Sequence, residues 1–215
     1  MCFLFFWRIA MGKLVFGLII FSFLFQSSEC NKNALSKSRR FGIFKVMGDD
    51  KTVEMDGDIN RKTLKSFKRM ISKFPNIKKI SMKDVPGSSD DRINLKVSRL
   101  VHKKNISTHV MDDGLIASGG TDFFLAGKIR TKGKNVKIGV HSWSDGDREA
   151  TEFPKGSSAH KPYIDYYISV GFSKVAAKAF YYFTINSAPA DEIHWMTEKE
   201  IKKYKILTKQ GGKND

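Results

Sequence analysis

The chain has 215 residues, of which 41% are hydrophobic and 28% charged, and its formal net charge is +16. That is the composition of a globular protein, with length for one domain and a sizeable core. The positive excess is scattered along the chain with no zinc-knuckle, helix-turn-helix or aromatic–arginine ribonucleoprotein pattern. This argues against nucleic acid as a partner and for a lysine-rich solvated surface.

Residues 1–30 read as an export segment. Arg8 and Lys13 supply positive charge, Leu14–Phe25 is an uninterrupted apolar run, and a small polar stretch, "QSSECNK", follows. The run is shorter than the roughly 20 residues of a membrane span, so a cleaved signal is expected, with an uncleaved N-terminal anchor as the alternative. The two cysteines, Cys2 and Cys30, both belong to this segment. The rest of the chain therefore has no disulfide framework, thiol nucleophile or cysteine metal site. Residues 31–40 are expected to be a flexible lead-in, 41–207 an α/β domain, and 208–215 a tail.

"FGIFKVMG" and "KTVEMDGDI" alternate apolar and polar residues around Gly–Asp turns, which predicts paired strands. Ile59, Leu64, Phe67, Met70, Ile71 and Phe74 fall at helical spacing, and Pro75 ends that helix. "IKKISMKD" predicts a strand leading into the loop "VPGSSDD". Ile93, Val97, Leu100 and Val101 form the stripe of a second helix, and "ISTHVMDD" a further strand. After the turn "GLIASGG" comes a short apolar helix from Thr121, then the strand "VKIGVHSW" and a polar loop, 142–156. Two aromatic-rich helices follow, and then a last helix started by Thr197, with Glu200 completing a capping box. The order is that of βαβ units in a largely parallel sheet. In such sheets functional loops follow the C-terminal ends of strands, the position of both "PGSS" and "ASGG".

A serine hydrolase needs a hydroxyl, a base, a group that orients the base, and N–H donors for the oxyanion. Ser118, before Gly119 and Gly120 at a helix start, fits the nucleophile. The Gly119 N–H fits an oxyanion donor, and Ser88 or Gly87 fits the second. His141, ending a strand, fits the base. Each fragment alone also reads as a turn or a structural histidine. Asp145, Asp147 and His160 match no compact metal motif, and no cofactor motif is present. Tyr163, Tyr166, Tyr167 and Phe180–Phe183 read as core or subunit interface before they read as a substrate surface.

Taken in order, "PGSSDD", "ASGGTDFFLAG", "VKIGVHSW" and "ADEIHWMTEKEIKKY" resemble the ClpP/crotonase superfamily. More closely, they resemble exported bacterial ClpP-like proteins whose function is largely unassigned. The resemblance implies a repeated ββα spiral with a mostly parallel sheet. It also implies a Ser118–His141 site with an aspartate in the connection before the last helix. The matching position falls near Pro189, which cannot serve; Asp191 is the nearest carboxylate, with Glu192 and the amide of Asn186 as alternatives. The family's second loop glycine is Ser88 here. A relative with a lysine base shares "ASGG", but the histidine motif favours His141. The acyl-coenzyme A branch does not fit an exported chain. The resemblance therefore implies an exported serine hydrolase, most simply a peptidase. It would be periplasmic or anchored facing the periplasm, act on peptide or protein substrates, form a homo-oligomer, and touch the membrane only through its N-terminal segment. The competing class is a ClpP-fold binding or scaffold protein that has lost the chemistry.

Overall fold

The structure, a computed structural model, describes residues 39–208. The export segment with both cysteines, most of the lead-in and most of the tail lie outside the described residues. Among the described residues no helix is long and apolar enough to cross a membrane.

The alternating N-terminal segments pair as expected. β1 (Arg40–Phe41), β2 (Phe44–Val46) and β3 (Thr52–Met55) form an antiparallel meander. The β1–β2 turn needs Gly42 at φ 62°. The Asp49 carboxylate closes the next turn by accepting from the Lys51 and Thr52 N–H groups.

From β3 onward the pairing is parallel, and only the last strand returns antiparallel, against its neighbour. β4 (Lys79–Val85) and β5 (Ser107–Ala117) follow α1 (Thr63–Lys73) and α2 (Asp91–Lys103). Phe67, Met70 and Ile71 of the expected α1 stripe are buried; of the expected α2 stripe Val97 and Val101 are buried while Ile93 and Leu100 are half-buried, and Leu95, outside that stripe, is buried beside them. Asp90 caps α2 by accepting from the Ile93 N–H at 3.0 Å.

Next come α3 (Gly119–Leu125), β6 (Arg130–Lys132) and β7 (Lys137–Val140). The last elements are α4 (Lys161–Ser169), α5 (Lys174–Ser187), β8 (His194–Trp195) and α6 (Glu198–Lys203). Thr197 and Glu200 form the expected capping box on α6. The sheet runs β1-β2-β3-β4-β5-β7-β8, with β6 pairing to β5. The chain is a mixed α/β protein with a mostly parallel central sheet.

β5 extends beyond its expected segment and does two jobs. Thr108–Val110 pair with β6, while Leu115–Ala117 pair with β7. Between these halves the register against β4 slips, from Met82 opposite Val110 to Asp84 opposite Leu115. Asp113 takes φ 56° there, and a Cβ on Gly114 would lie 2.8 Å from the Met111 carbonyl oxygen. This irregularity re-aims the end of the strand, where Ser118 sits.

Arg130, on β6, ties the far side together. Its guanidinium, pushed down to about 10 by burial, donates to the carbonyls of Ile206 and Lys205 at 2.6 and 3.0 Å. It thereby supplies donors to the chain leaving α6.

Candidate active site

Ser118 is the hinge between β5 and α3. Its N–H makes the last strand-type bond, to the Gly139 carbonyl at 3.1 Å. Its own carbonyl accepts from Thr121 and Asp122 at 2.9 and 3.2 Å, beginning the helix. To serve both elements its backbone takes φ 51°, ψ −126°, a combination that L-residues with a Cβ rarely adopt.

The two glycines that follow have a packing reason. A Cβ on Gly119 would sit 2.4 Å from Ser88 Cβ, and one on Gly120 would sit 2.0 Å from the Val85 carbonyl oxygen. Packing explains Gly119 and Gly120. It does not explain a strained serine at the position before them, where a third glycine would be unstrained.

The same close approach brings Ser88 to the site. Its backbone N lies 3.2 Å from where a Gly119 Cβ would be. Ile59 pairs with this loop as a parallel bridge, donating to the Gly87 carbonyl at 3.0 Å and accepting from the Ser89 N–H at 2.9 Å. In an extended strand alternate residues turn their N–H groups to opposite sides, so the Ser88 N–H faces away from Ile59, toward the start of α3. Gly119, at the first helical position, has no intrahelical acceptor for its N–H. Gly87 lies just behind, its ideal Cβ position 3.8 Å from Ser118 Cβ.

Ser88, Ser118, Gly119 and His141 line one cavity of about 310 Å³. His141 follows the last residue of β7. Burial lowers its pKa, against the opposing pull of the Ala190 backbone, the Asp91 and Glu149 charges and the Ser142 backbone. The imidazole is therefore neutral at neutral pH, the form a base requires. Among the described residues no hydrogen bond joins Ser118 Oγ to His141. His102, His109 and His194 are bonded elsewhere, to Ala126, Thr131 and Glu200.

The cavity wall includes groups with no sequence motif. Asp122 lies one turn after Ser118 on α3 and accepts from the Tyr167 hydroxyl at 2.7 Å. Burial pushes its pKa up to about 7, with the Tyr167 hydrogen bond opposing and the Asp91 charge adding to the rise. Asp91, at the start of α2, accepts from the Tyr163 hydroxyl at 2.6 Å. Tyr163, Tyr167 and Tyr181 therefore belong to the cavity wall as well as to the aromatic core. The only sequence signal for Asp122 is its four-residue offset from Ser118 on a helix.

Asp191 lies in the expected connection, directly after the cavity-lining Ala190, but it is exposed and is not part of the cavity wall. The polar segment after His141 is ordered by internal contacts. Ser144 bridges to Glu149, and two 3-10 turns follow. The Tyr181 hydroxyl accepts from Trp143 Nε1 at 3.0 Å and is hydrogen bonded to His160 Nδ1 at 2.7 Å. His160 is 1% exposed and has a structural role.

No protein-family model and no curated protein matches the chain. Among solved structures it is similar to the 1510-N membrane-bound stomatin-specific protease, in a mutant form bound to a substrate peptide. The identity is 20%, covering 72% of this chain and 71% of that one, with a TM-score of 0.47. A second mutant of the same protease gives 20% identity, coverage of 72% and 75%, and a TM-score of 0.48. A ClpP1 mutant from Listeria monocytogenes gives 18% identity, coverage of 74% and 90%, and a TM-score of 0.46.

Proposed function

We propose that the chain is an exported ClpP-like serine hydrolase, most simply a peptidase, with Ser118 as nucleophile and His141 as general base. The observation that carries this reading is the strained backbone of Ser118 at φ 51°, at the mouth of a cavity shared with a neutral histidine and two N–H donors. Ser118 Oγ attacks the substrate carbonyl carbon and its proton passes to His141 Nε2. The Gly119 and Ser88 N–H groups hold the oxyanion, with Gly87 giving the loop its close approach. Collapse breaks the carbonyl–nitrogen bond, and the amine leaves with the proton from His141. Water, deprotonated by the same imidazole, then releases the acyl group. A carboxylate must orient the ring; the family resemblance assigns Asp191.

The apolar N-terminal segment supports export and any membrane attachment. Trp195, on the edge strand β8, and Ile193, just before it, are 41% and 36% exposed and offer apolar surface for the expected homo-oligomer. The missing bond between Ser118 and His141 favours a second reading, a binding module that keeps the fold without the chemistry.

A fluorophosphonate probe, followed by peptide mapping, separates the two. Labelling at Ser118 that is lost in Ser118→Ala and His141→Ala is the expected result. Unlabelled, folded protein between pH 6 and 9 would refute the hydrolase.

A further inference from the structure

We propose that Glu149, from the loop that follows His141, is the residue that orients the His141 ring, in place of the exposed Asp191; this rests on His141 acting as the base. Among the described residues two buried side-chain polar atoms have no hydrogen-bond partner: His141 Nδ1 and Glu149 Oε2. One is a donor in the tautomer a base requires and the other an acceptor, so each offers what the other lacks.

The loop brings them to the same place. The Ser144–Glu149 bridge and the bond from the Ala150 N–H to the Trp143 carbonyl, 2.8 Å, fold residues 145–148 out as a hairpin tip. Glu149 thereby returns beside the strand extension that begins at His141. Its other oxygen, Oε1, accepts from the Ala190 N–H at 3.0 Å. Ala190 lines the cavity with His141, and its backbone acts on the imidazole, so the contact holds the carboxylate against a neighbour of the histidine; the Glu149 charge acts on the imidazole as well.

The competing carboxylates are engaged otherwise. The Asp91 charge, from α2, acts on His141 more strongly than that of Glu149, but its Oδ2 takes the Tyr163 hydroxyl. Asp122, from α3, takes that of Tyr167. With Nδ1–H turned to Glu149, Nε2 is left to face Ser118. That is the division of labour a serine site needs, and the carboxylate stabilises the imidazolium that forms. Glu149 is a positioning residue and does not touch substrate.

Glu149→Gln tests this directly, because the amide oxygen still accepts from Ala190 while the charge is lost. Histidine NMR titration of the full chain reads the coupling independently of any reaction. In Glu149→Gln the His141 pKa falls by about one pH unit, Glu149→Asp recovers part of that, and Asp191→Asn moves it less. In parallel, fluorophosphonate labelling of Ser118 slows roughly 10²–10⁴-fold in Glu149→Gln, and its acidic limb moves to lower pH. An unchanged His141 titration in folded Glu149→Gln, or a larger effect from Asp191→Asn, overturns the proposal. A wild-type chain that shows the NMR coupling without labelling refutes the nucleophile and leaves the Glu149–His141 contact standing.

Discussion

Replacing Asp122 with Asn is expected to stabilise the protein above neutral pH and to leave it nearly unchanged in acid. The Asp122 carboxyl is buried and its pKa is raised to about 7 from the model-peptide value of 3.8. Its native proton affinity is thus about three powers of ten above that of the unfolded chain, and each power is about 1.4 kcal/mol. The sign follows from linkage. Below pH 4 the group is protonated in both states and costs nothing. As pH rises from about 4 to 7 the unfolded chain ionises freely while the folded one resists, so stability is lost, and the loss levels off above 7. Asn is neutral throughout, and its amide oxygen can still accept from Tyr167. The variant should therefore gain on wild type progressively across that window, reaching about 4 kcal/mol at pH 8. That is about 8–16 °C in Tm for a chain of this size. Thermal and urea denaturation at half-unit pH steps measure it. A stability difference independent of pH, or a variant less stable than wild type at pH 8, would refute the argument that Asp122 is buried at a cost.

The strain at Ser118 predicts that Ser118→Gly is more stable than Ser118→Ala. Relief of a positive-φ side chain is worth about 1–3 kcal/mol, reduced by the extra chain entropy of glycine, about 0.5–1 kcal/mol. Comparing Tm values of the two unreactive variants reads the difference, and a Ser118→Gly variant less stable than Ser118→Ala would mean the backbone is unstrained. Tyr181→Phe removes the hydroxyl that serves both Trp143 and His160. It should cost about 2–4 kcal/mol and expose the loop tip to trypsin at Arg148; unchanged proteolysis would show that the hydroxyl does not anchor the loop.

Much of the fold was legible because it rests on periodicity. The α1 and α2 stripes, the meander and the Thr197 capping box were each written within a few residues of sequence. β6 and β8 were not. "RTK" and "HW" carry no strand pattern of their own and pair only because β5 and β7 present open edges to them. Ser118, Gly119, Ser88 and His141 could be found because each sits at the end of a strand or the start of a helix, where local sequence fixes the backbone. Asp91, Asp122 and the tyrosines come to the cavity through packing between helices far apart in sequence, which no short motif records. Glu149 lay inside a segment that reads only as a polar loop, since its place depends on the hairpin that turns it back toward Ala190.

The distribution of unfavourable features bears on why this cavity exists. A positive-φ serine, a carboxyl pushed up to about 7, and two buried polar atoms without partners all lie on or directly behind one cavity wall. Each has a simple remedy that fits the same space: glycine at 118, asparagine at 122, glutamine or an apolar residue at 149. A chain folding only to pack its core has no reason to retain them together, because each removes stability from a total of about 5–15 kcal/mol. Elsewhere in the described structure positive φ falls on Gly, Asn and Asp, which tolerate it, apart from Lys205, and α2, α5 and α6 carry side-chain caps. Concentrated disagreement of this kind is the mark of a site shaped by chemistry rather than by stability. It weighs against the reading of Ser118–Gly119–Gly120 as a turn retained for packing alone.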